Sequence, residues 1–281
     1  RAARIAASAH ANASVLALTA VAVTTSLMRT VQRTTIGKRS RPTVDKRAFL
    51  PGRALGLDMF SGPLRRVTRA LRALAGGGIT GHCELLLGQD YSKSRTQRYY
   101  FRWVKRHRPC AIMWAWPCKY FSRAQQRCWW RSAKELQRLR RPFLKMLRAS
   151  LPLVKLQTRL GGFHVFEMPA SSRMKRTAEW KAITKALPNL WYFDFHQCTQ
   201  GANYLKLTRI YTDIPRSCFK HMTANPRCQH GPNAHPRLEG KDAHGVWLTT
   251  KAALYTWTMA KSLARGMLAA HYICEQRAKH R

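Results

Sequence analysis

From Ala54 onward, short apolar runs alternate with stretches in which apolar residues recur every three or four positions. Residues 54–60, ALGLDMF, are too short for a stable helix and read as a strand that ends near Gly62. Residues 67–75, VTRALRALA, carry a helical period that GGGITG interrupts. HCELLLGQ at 82–89 reads as a second strand and AIMWAW at 111–116 as a third, ending at Pro117-Cys118. In residues 131–149, Leu136, Leu139, Phe143, Leu144 and Leu147 share one helical face, with a kink expected at Pro142. FHVFEMP, 163–169, and LWYFDFHQC, 190–198, read as strands separated by a helix over 178–187. A terminal helix is expected from Thr249 or Thr250 to about His271, with Leu254, Trp257, Leu263 and Met267 on its packed side.

Strands that alternate with helices favour an α/β open sheet with crossover helices. In such sheets reactive groups gather where strands end, and Asp58, Cys118 and Glu167 are placed there. Cysteine thiolates are strong nucleophiles, and a carboxyl buried among apolar neighbours can stay protonated and donate to a substrate ring. Asp90, just after an apolar run, reads either as a ribose contact or as a turn residue.

Charge adds a partner. Lys and Arg total 51 against 12 acidic residues, a net charge of +39 that repels itself unless a polyanion screens it. Nucleic acid is the first expectation; an anionic membrane surface or an RNA-rich particle also fits. YYFRWVKRHR, residues 99–108, interleaves aromatics with bases, the pattern of a base-stacking surface or of an amphipathic helix with its aromatics in the core. Arg102, Lys105, Arg106, Arg123, Arg173, Lys175 and Arg176 are the expected phosphate contacts.

Three segments follow from composition: a basic arm over 1–50, a core over 51–205, and a C-terminal extension of that core over 206–281. The first 44 residues lack Asp and Glu and read as an organelle-import segment or a disordered basic arm, which leaves nucleus, cytoplasm or organelle as locations. Residues 14–28, SVLALTAVAVTTSLM, are too short and Thr-rich to be read as a membrane span. No CxxC pair is present among the eight cysteines, so free thiols in a reducing compartment are expected. Near the end, Cys218, Cys228, His230 and His235 offer two thiols and two imidazoles, a zinc-type ligand set, in a loop with little apolar material of its own.

LDMFSG at 57–62, WAWPCKYFSRAQQR at 114–127 and FHVFEMPASSRMKR at 163–176 together resemble the DNA cytosine-5 methyltransferase-like proteins of viral, phage and mobile-element settings. The resemblance covers roughly residues 54–265 and implies a Rossmann-like methyltransferase sheet. It implies S-adenosylmethionine beside Asp58, Phe60 and Gly62, with Cys118 as nucleophile on cytosine and Glu167 assisting, and it favours DNA over RNA. TRIYTDIP, 208–215, resembles a later family segment in which Asn is usual where Asp213 stands. Two further departures are Trp116, where a proline is usual and where an indole is expected to crowd the catalytic loop, and Pro63-Leu64-Arg65-Arg66, where small residues are usual. Two functions are therefore carried forward: a cytosine C5 methyltransferase, and a noncatalytic methyltransferase-like protein that binds nucleic acid or assembles on a ribonucleoprotein.

Overall fold

A computed structural model describes residues 53–122 and 132–279, apart from 232, 237, 239, 241–243, 246 and 247. The chain divides into two units, Arg1–Arg47 and Ala48–Arg281, and all the described residues belong to the second. The basic arm, the 14–28 run and Arg123 lie outside the described residues.

Six strands form one open sheet. In chain order they are β1 (Gly56–Met59), β2 (Thr80–Cys83), β3 (Ala111–Trp114), β4 (Phe163–Pro169), β5 (Trp191–His196) and β6 (Leu207–Thr212). Their spatial order is β2-β1-β3-β4-β6-β5, with β1 to β4 mutually parallel and β6 antiparallel to both its neighbours. The helices are α1 (Arg66–Leu74), α2 (Ser94–His107), α3 (Ala133–Arg159), α4 (Ala178–Lys185), the short α5 (Lys220–Thr223) and α6 (Leu248–Lys251), and α7 (Trp257–Lys279). This is an open, mixed α/β sheet with flanking helices.

The period-two alternation of strand side chains sorts the core into two layers. Ile112 and Trp114 of β3 and Phe166 and Met168 of β4 face Tyr100, Trp103 and Val104 of α2, Met146 and Leu147 of α3, and Trp180 of α4. On the other face Ala111, Met113, Phe163 and Val165 meet Leu71 of α1 and Met259, Leu263 and Met267 of α7. A fully buried side chain of this size contributes about 1.5–3 kcal/mol, so both helix layers are held chiefly by the sheet they cover.

Several elements differ from the sequence reading. Strand β2 stops at Cys83, and Leu85–Leu87 form a 3-10 turn with Leu85 and Leu87 exposed. Helix α3 runs ten residues past Ala149 and continues through Pro142 and Pro152. Ser132 caps it by accepting the Glu135 N–H at 3.1 Å, and buried Leu147, Ser150, Val154 and Gln157 carry its packed face onward. That packing outweighs the cost of about 3 kcal/mol for an interior proline. The terminal helix is two pieces. Thr256, not Thr249 or Thr250, starts α7 by accepting the Met259 N–H at 3.0 Å. Leu254 and Trp257 are consequently exposed, while Leu263 and Met267 are buried as expected. In α2, burial of Tyr100, Trp103 and Val104 settles the 99–108 stretch as a core-facing helix with Arg102, Lys105 and Arg106 outside.

Candidate functional site

The residues singled out for chemistry converge at the carboxyl ends of β1, β3 and β4, three adjacent parallel strands. The chain crosses from β1 to β2 on one side and reaches β3 on the other, so this is the point where strand order reverses, the usual ligand crevice of an open α/β sheet.

Asp58 is buried near the end of β1, where its Oδ2 accepts hydrogen bonds from Ser61 Oγ at 2.5 Å and Thr68 Oγ1 at 3.1 Å. Its Oδ1 is buried and has no hydrogen-bond partner among the described residues. Burial raises its carboxyl to about 6 despite both hydrogen bonds. Beyond it, Phe60 (φ 72°) and Arg65 (φ 51°) occupy the left-handed region on either side of Gly62 (φ 106°), a turn strained by about 1–3 kcal/mol at each non-glycine residue. A Cβ at Gly62 meets only Leu254 Cδ2, at 3.7 Å, so the glycine is required by its φ rather than by crowding. The Gly62 N–H donates to Glu84 Oε2 at 2.9 Å. Glu84 follows β2 directly and is the acidic residue that faces this loop; nothing in its strand-like surroundings singled it out. Asp90 sits in the turn before α2, its Oδ1 accepting the Ser92 N–H at 2.9 Å. Leu64 and Arg65 face solvent, and Arg66 turns to donate to the Tyr255 carbonyl.

Cys118 starts the 3-10 turn Lys119–Phe121 after β3 and is partly buried. Its thiol is raised to about 11, first by burial and then by Glu167, with Lys206 acting in the opposite sense. Glu167 is buried in β4; burial raises its carboxyl, while Lys206 and a hydrogen bond from Tyr255 oppose the rise. The Tyr255 hydroxyl donates to Glu167 Oε2 at 3.1 Å, and Glu167 Oε1 is buried without a protein partner. The structure thus brings Cys118 and Glu167 into one electrostatic neighbourhood and adds Lys206 and Tyr255, which no sequence motif pointed to.

The strap between α6 and α7, residues 252–256, lies over this site. Leu254 approaches Gly62, Tyr255 reaches Glu167, and the Ala252 carbonyl accepts from Lys206 Nζ at 3.1 Å and from Tyr204 Oη at 3.4 Å. Two clefts, of about 290 and 310 Å³, lie elsewhere: one between α2 and α3 beside Tyr91 and Arg98, the other along β5 beside Trp191 and Arg216.

Two expected perturbations fall away from the site. Trp116 is 3% exposed and stacks on Trp114 and Phe166, with its Nε1 donating to Ser150 Oγ at 3.1 Å. The indole therefore points into the α3 layer and does not crowd the cysteine. Asp213 accepts the His164 N–H at 2.6 Å at the amino end of β4. Because β6 runs antiparallel to β4, residue 213 lies at the opposite end of that strand from Glu167.

A second cluster forms where β5 ends. Cys198 Sγ, Cys228 Sγ, His230 Nδ1 and His235 Nε2 all lie within 4.8 Å of one another, a set suited to a metal ion. Cys198 takes the place expected for Cys218, which packs against the apolar layer under α7 and is not in the set. The antiparallel β5–β6 hairpin explains the exchange: the 3-10 turn Gln197–Gln200 delivers Cys198 to the 226–235 loop across thirty positions of sequence, a separation no ligand-spacing rule anticipates. His230 and then His235, hydrogen-bonded to Cys228, bring its thiol down to about 6.

Among the expected phosphate contacts, Arg102, Lys105, Arg106, Arg173 and Arg176 are exposed, and Lys175 donates to the Ala170 carbonyl at 3.2 Å. Among the described residues no helix is long and apolar enough to cross a membrane.

No protein-family model matches the chain, and no curated protein is similar to it. Among solved structures it is weakly similar to the Entamoeba histolytica methyltransferase EhMeth, at 9% identity and a TM-score of 0.35, with 56% of this chain and 52% of that chain covered. The chain therefore spans about half the length of that methyltransferase.

Proposed function

We propose that this chain transfers a methyl group from S-adenosylmethionine to C5 of cytosine in DNA. The observation that carries the reading is the placement of Cys118 after β3 and of Glu167 in the adjacent parallel strand β4, beside the strained Asp58–Gly62 loop at the strand-order reversal. The loop fits an adenosyl-sulfonium ligand in two respects: Asp58 Oδ1 is a buried acceptor without a protein partner, and Gly62 leaves its backbone open to close approach. Asp58, Phe60, Gly62 and Glu84 would hold the donor, which when bound supplies an electrophilic methyl group.

The remaining work falls to the chain's own side chains. The Cys118 thiolate forms a bond to C6 of the ring, and Lys206 is the cation that favours its ionisation. Glu167, whose protonated form burial favours, donates to the ring nitrogen and draws toward it the electron pair displaced by the thiolate. Once C5 carries the new methyl group, loss of its proton to solvent and elimination of the thiolate from C6 would restore the aromatic ring and the free cysteine. A duplex cytosine must leave the base stack to reach Cys118, at a cost that phosphate contacts from exposed residues such as Arg173 and Arg176 offset.

A second reading, a noncatalytic methyltransferase-like protein that binds nucleic acid, is favoured by the strap: Tyr255 and Leu254 occupy the approach to Glu167 and Gly62, while the +39 charge suits polyanion binding by itself. Calorimetric titration of the full chain with S-adenosylmethionine separates the two. Saturable binding that Gly62→Trp abolishes, followed by DNA methylation that Cys118→Ala abolishes, supports the enzyme. No heat of binding to a chain shown to be folded leaves the noncatalytic reading.

A further inference from the structure

We propose that Cys198, Cys228, His230 and His235 bind one structural zinc ion, and that this ion holds the turn that fastens the strap over Glu167. The chemistry of the donors comes first. Two thiols and two imidazoles are the ligand set of closed, four-coordinate zinc sites, with every position filled by protein and none left for a substrate. Hard cations prefer oxygen donors, which this set lacks.

The geometry agrees with that chemistry. Cys228 Sγ is 3.3 Å from His230 Nδ1 and 3.2 Å from His235 Nε2, and the two imidazole nitrogens are 3.2 Å apart. Tetrahedral zinc with ordinary bond lengths separates such atoms by about 3.3–3.8 Å, so three edges of the tetrahedron are already in place. Cys198 Sγ closes the fourth corner from the other side of the β5 terminus. Outer contacts orient the ligands as metal sites require: His235 directs its other nitrogen to the Asn203 carbonyl at 3.3 Å, and the Cys228 N–H donates to His196 Nδ1 at 2.9 Å.

The same turn is tied to the strap on its far side. Gln197 Oε1 accepts from Tyr204 Oη at 3.1 Å, Tyr204 and Lys206 both donate to the Ala252 carbonyl, and Thr256 Oγ1 donates to the Gln200 carbonyl. Residues 197–206 therefore carry the ligand Cys198 and link the cluster to the segment that presents Tyr255 to Glu167. The 226–235 loop holds two prolines, Pro226 and Pro232, and few apolar side chains, so a metal is the element that fixes it against this turn.

The inference does not rest on methyl transfer, because its readouts need neither donor nor DNA. The full chain, purified with zinc as the only added metal, is expected to retain about one zinc per molecule by elemental analysis. Cobalt in its place is expected to give the intense visible bands of a tetrahedral site and a thiolate-to-cobalt charge-transfer band. Cys198→Ser and His235→Ala are expected to lose the metal while Cys218→Ser keeps it. His230→Ala, at an exposed position, serves if Cys198→Ser fails to fold. Chelation is expected to speed amide exchange in residues 197–206 and 252–256 by at least about tenfold. A folded chain without zinc, an octahedral cobalt spectrum, a Cys198–Cys228 disulfide, or metal lost from Cys218→Ser would overturn the site. Unchanged exchange in 252–256 on chelation would overturn its hold on the strap.

Discussion

The Tyr255 hydroxyl donates a hydrogen bond to Glu167 Oε2 at 3.1 Å, joining the strap to a buried carboxyl 88 positions away in sequence. Both groups are almost fully buried, so neither can turn to water when its partner is removed. Tyr255→Phe is expected to destabilise the chain by about 1–3 kcal/mol, the usual cost of leaving a buried acceptor unsatisfied. The hydrogen bond stabilises the ionised carboxylate, so the penalty is expected to grow as pH rises and Glu167 ionises. Urea midpoints of the two proteins at about pH 5 and about pH 8 check both the size and the trend.

Asp58 gives a stability signal of definite sign. Burial raises its carboxyl from the ordinary 3.8 to about 6, so between these values the folded chain keeps a proton that the unfolded chain has released. Stability contributed by this group is therefore full below about pH 4 and falls as pH rises through about 6, by up to about 3 kcal/mol. Asp213, raised to about 6 by burial, acts in the same sense. Asp58→Asn is expected to remove its share of that slope. Subtracting the two unfolding curves cancels the self-repulsion of the highly charged chain, which both proteins share.

What the sequence disclosed, and what it hid, follows from the range of each signal. The apolar runs at 54–60, 111–116 and 163–169 mark strands because the hydrophobic signal is local, and the structure puts Asp58 in β1, Glu167 in β4 and Cys118 in the turn after β3. Glu84 escaped notice because its apolar neighbours Leu85 and Leu87 look like strand and are exposed turn. Cys198, Lys206 and Tyr255 reach their positions only through the antiparallel β5–β6 pairing and the break between α6 and α7, which are tertiary facts. The end of α3 was hidden for the complementary reason: the helix runs past Ala149 and through Pro152 because a packed face extends beyond them and outweighs the local cost of a helical proline.

Trp116 tests whether a departure from the family pattern is a defect of the site or part of the core. Its ring centroid lies 5.2 Å from that of Trp114 and 5.5 Å from that of Phe166, and Trp180 meets it edge-on. Trp116→Ala is expected to cost about 3–5 kcal/mol, as large aromatic deletions from packed cores do. Trp116→Pro, which places there the residue usual in the methyltransferase-like proteins the sequence resembles, is expected to cost at least as much and to gain no methyl transfer. Thermal unfolding and the DNA methylation assay, run on the same preparations, decide between a packing role and a blocked site.

The Cys118 thiol is raised to about 11 by burial and by the neighbouring Glu167. Only the thiolate is alkylated, so iodoacetamide is expected to modify Cys118 slowly at neutral pH and faster with each step in pH up to about 11. Where Glu167 is ionised its charge opposes ionisation of the thiol; Glu167→Gln removes that charge and is expected to speed alkylation. Lys206→Met removes the cation that favours the thiolate and is expected to slow it. Peptide mass spectrometry follows Cys118 separately from the other thiols, and far-ultraviolet circular dichroism establishes that each variant is folded. Opposite responses of the two variants mean that Cys118, Glu167 and Lys206 share one electrostatic field in solution; equal responses mean that the thiol's access to solvent, rather than its charge neighbours, sets its reactivity.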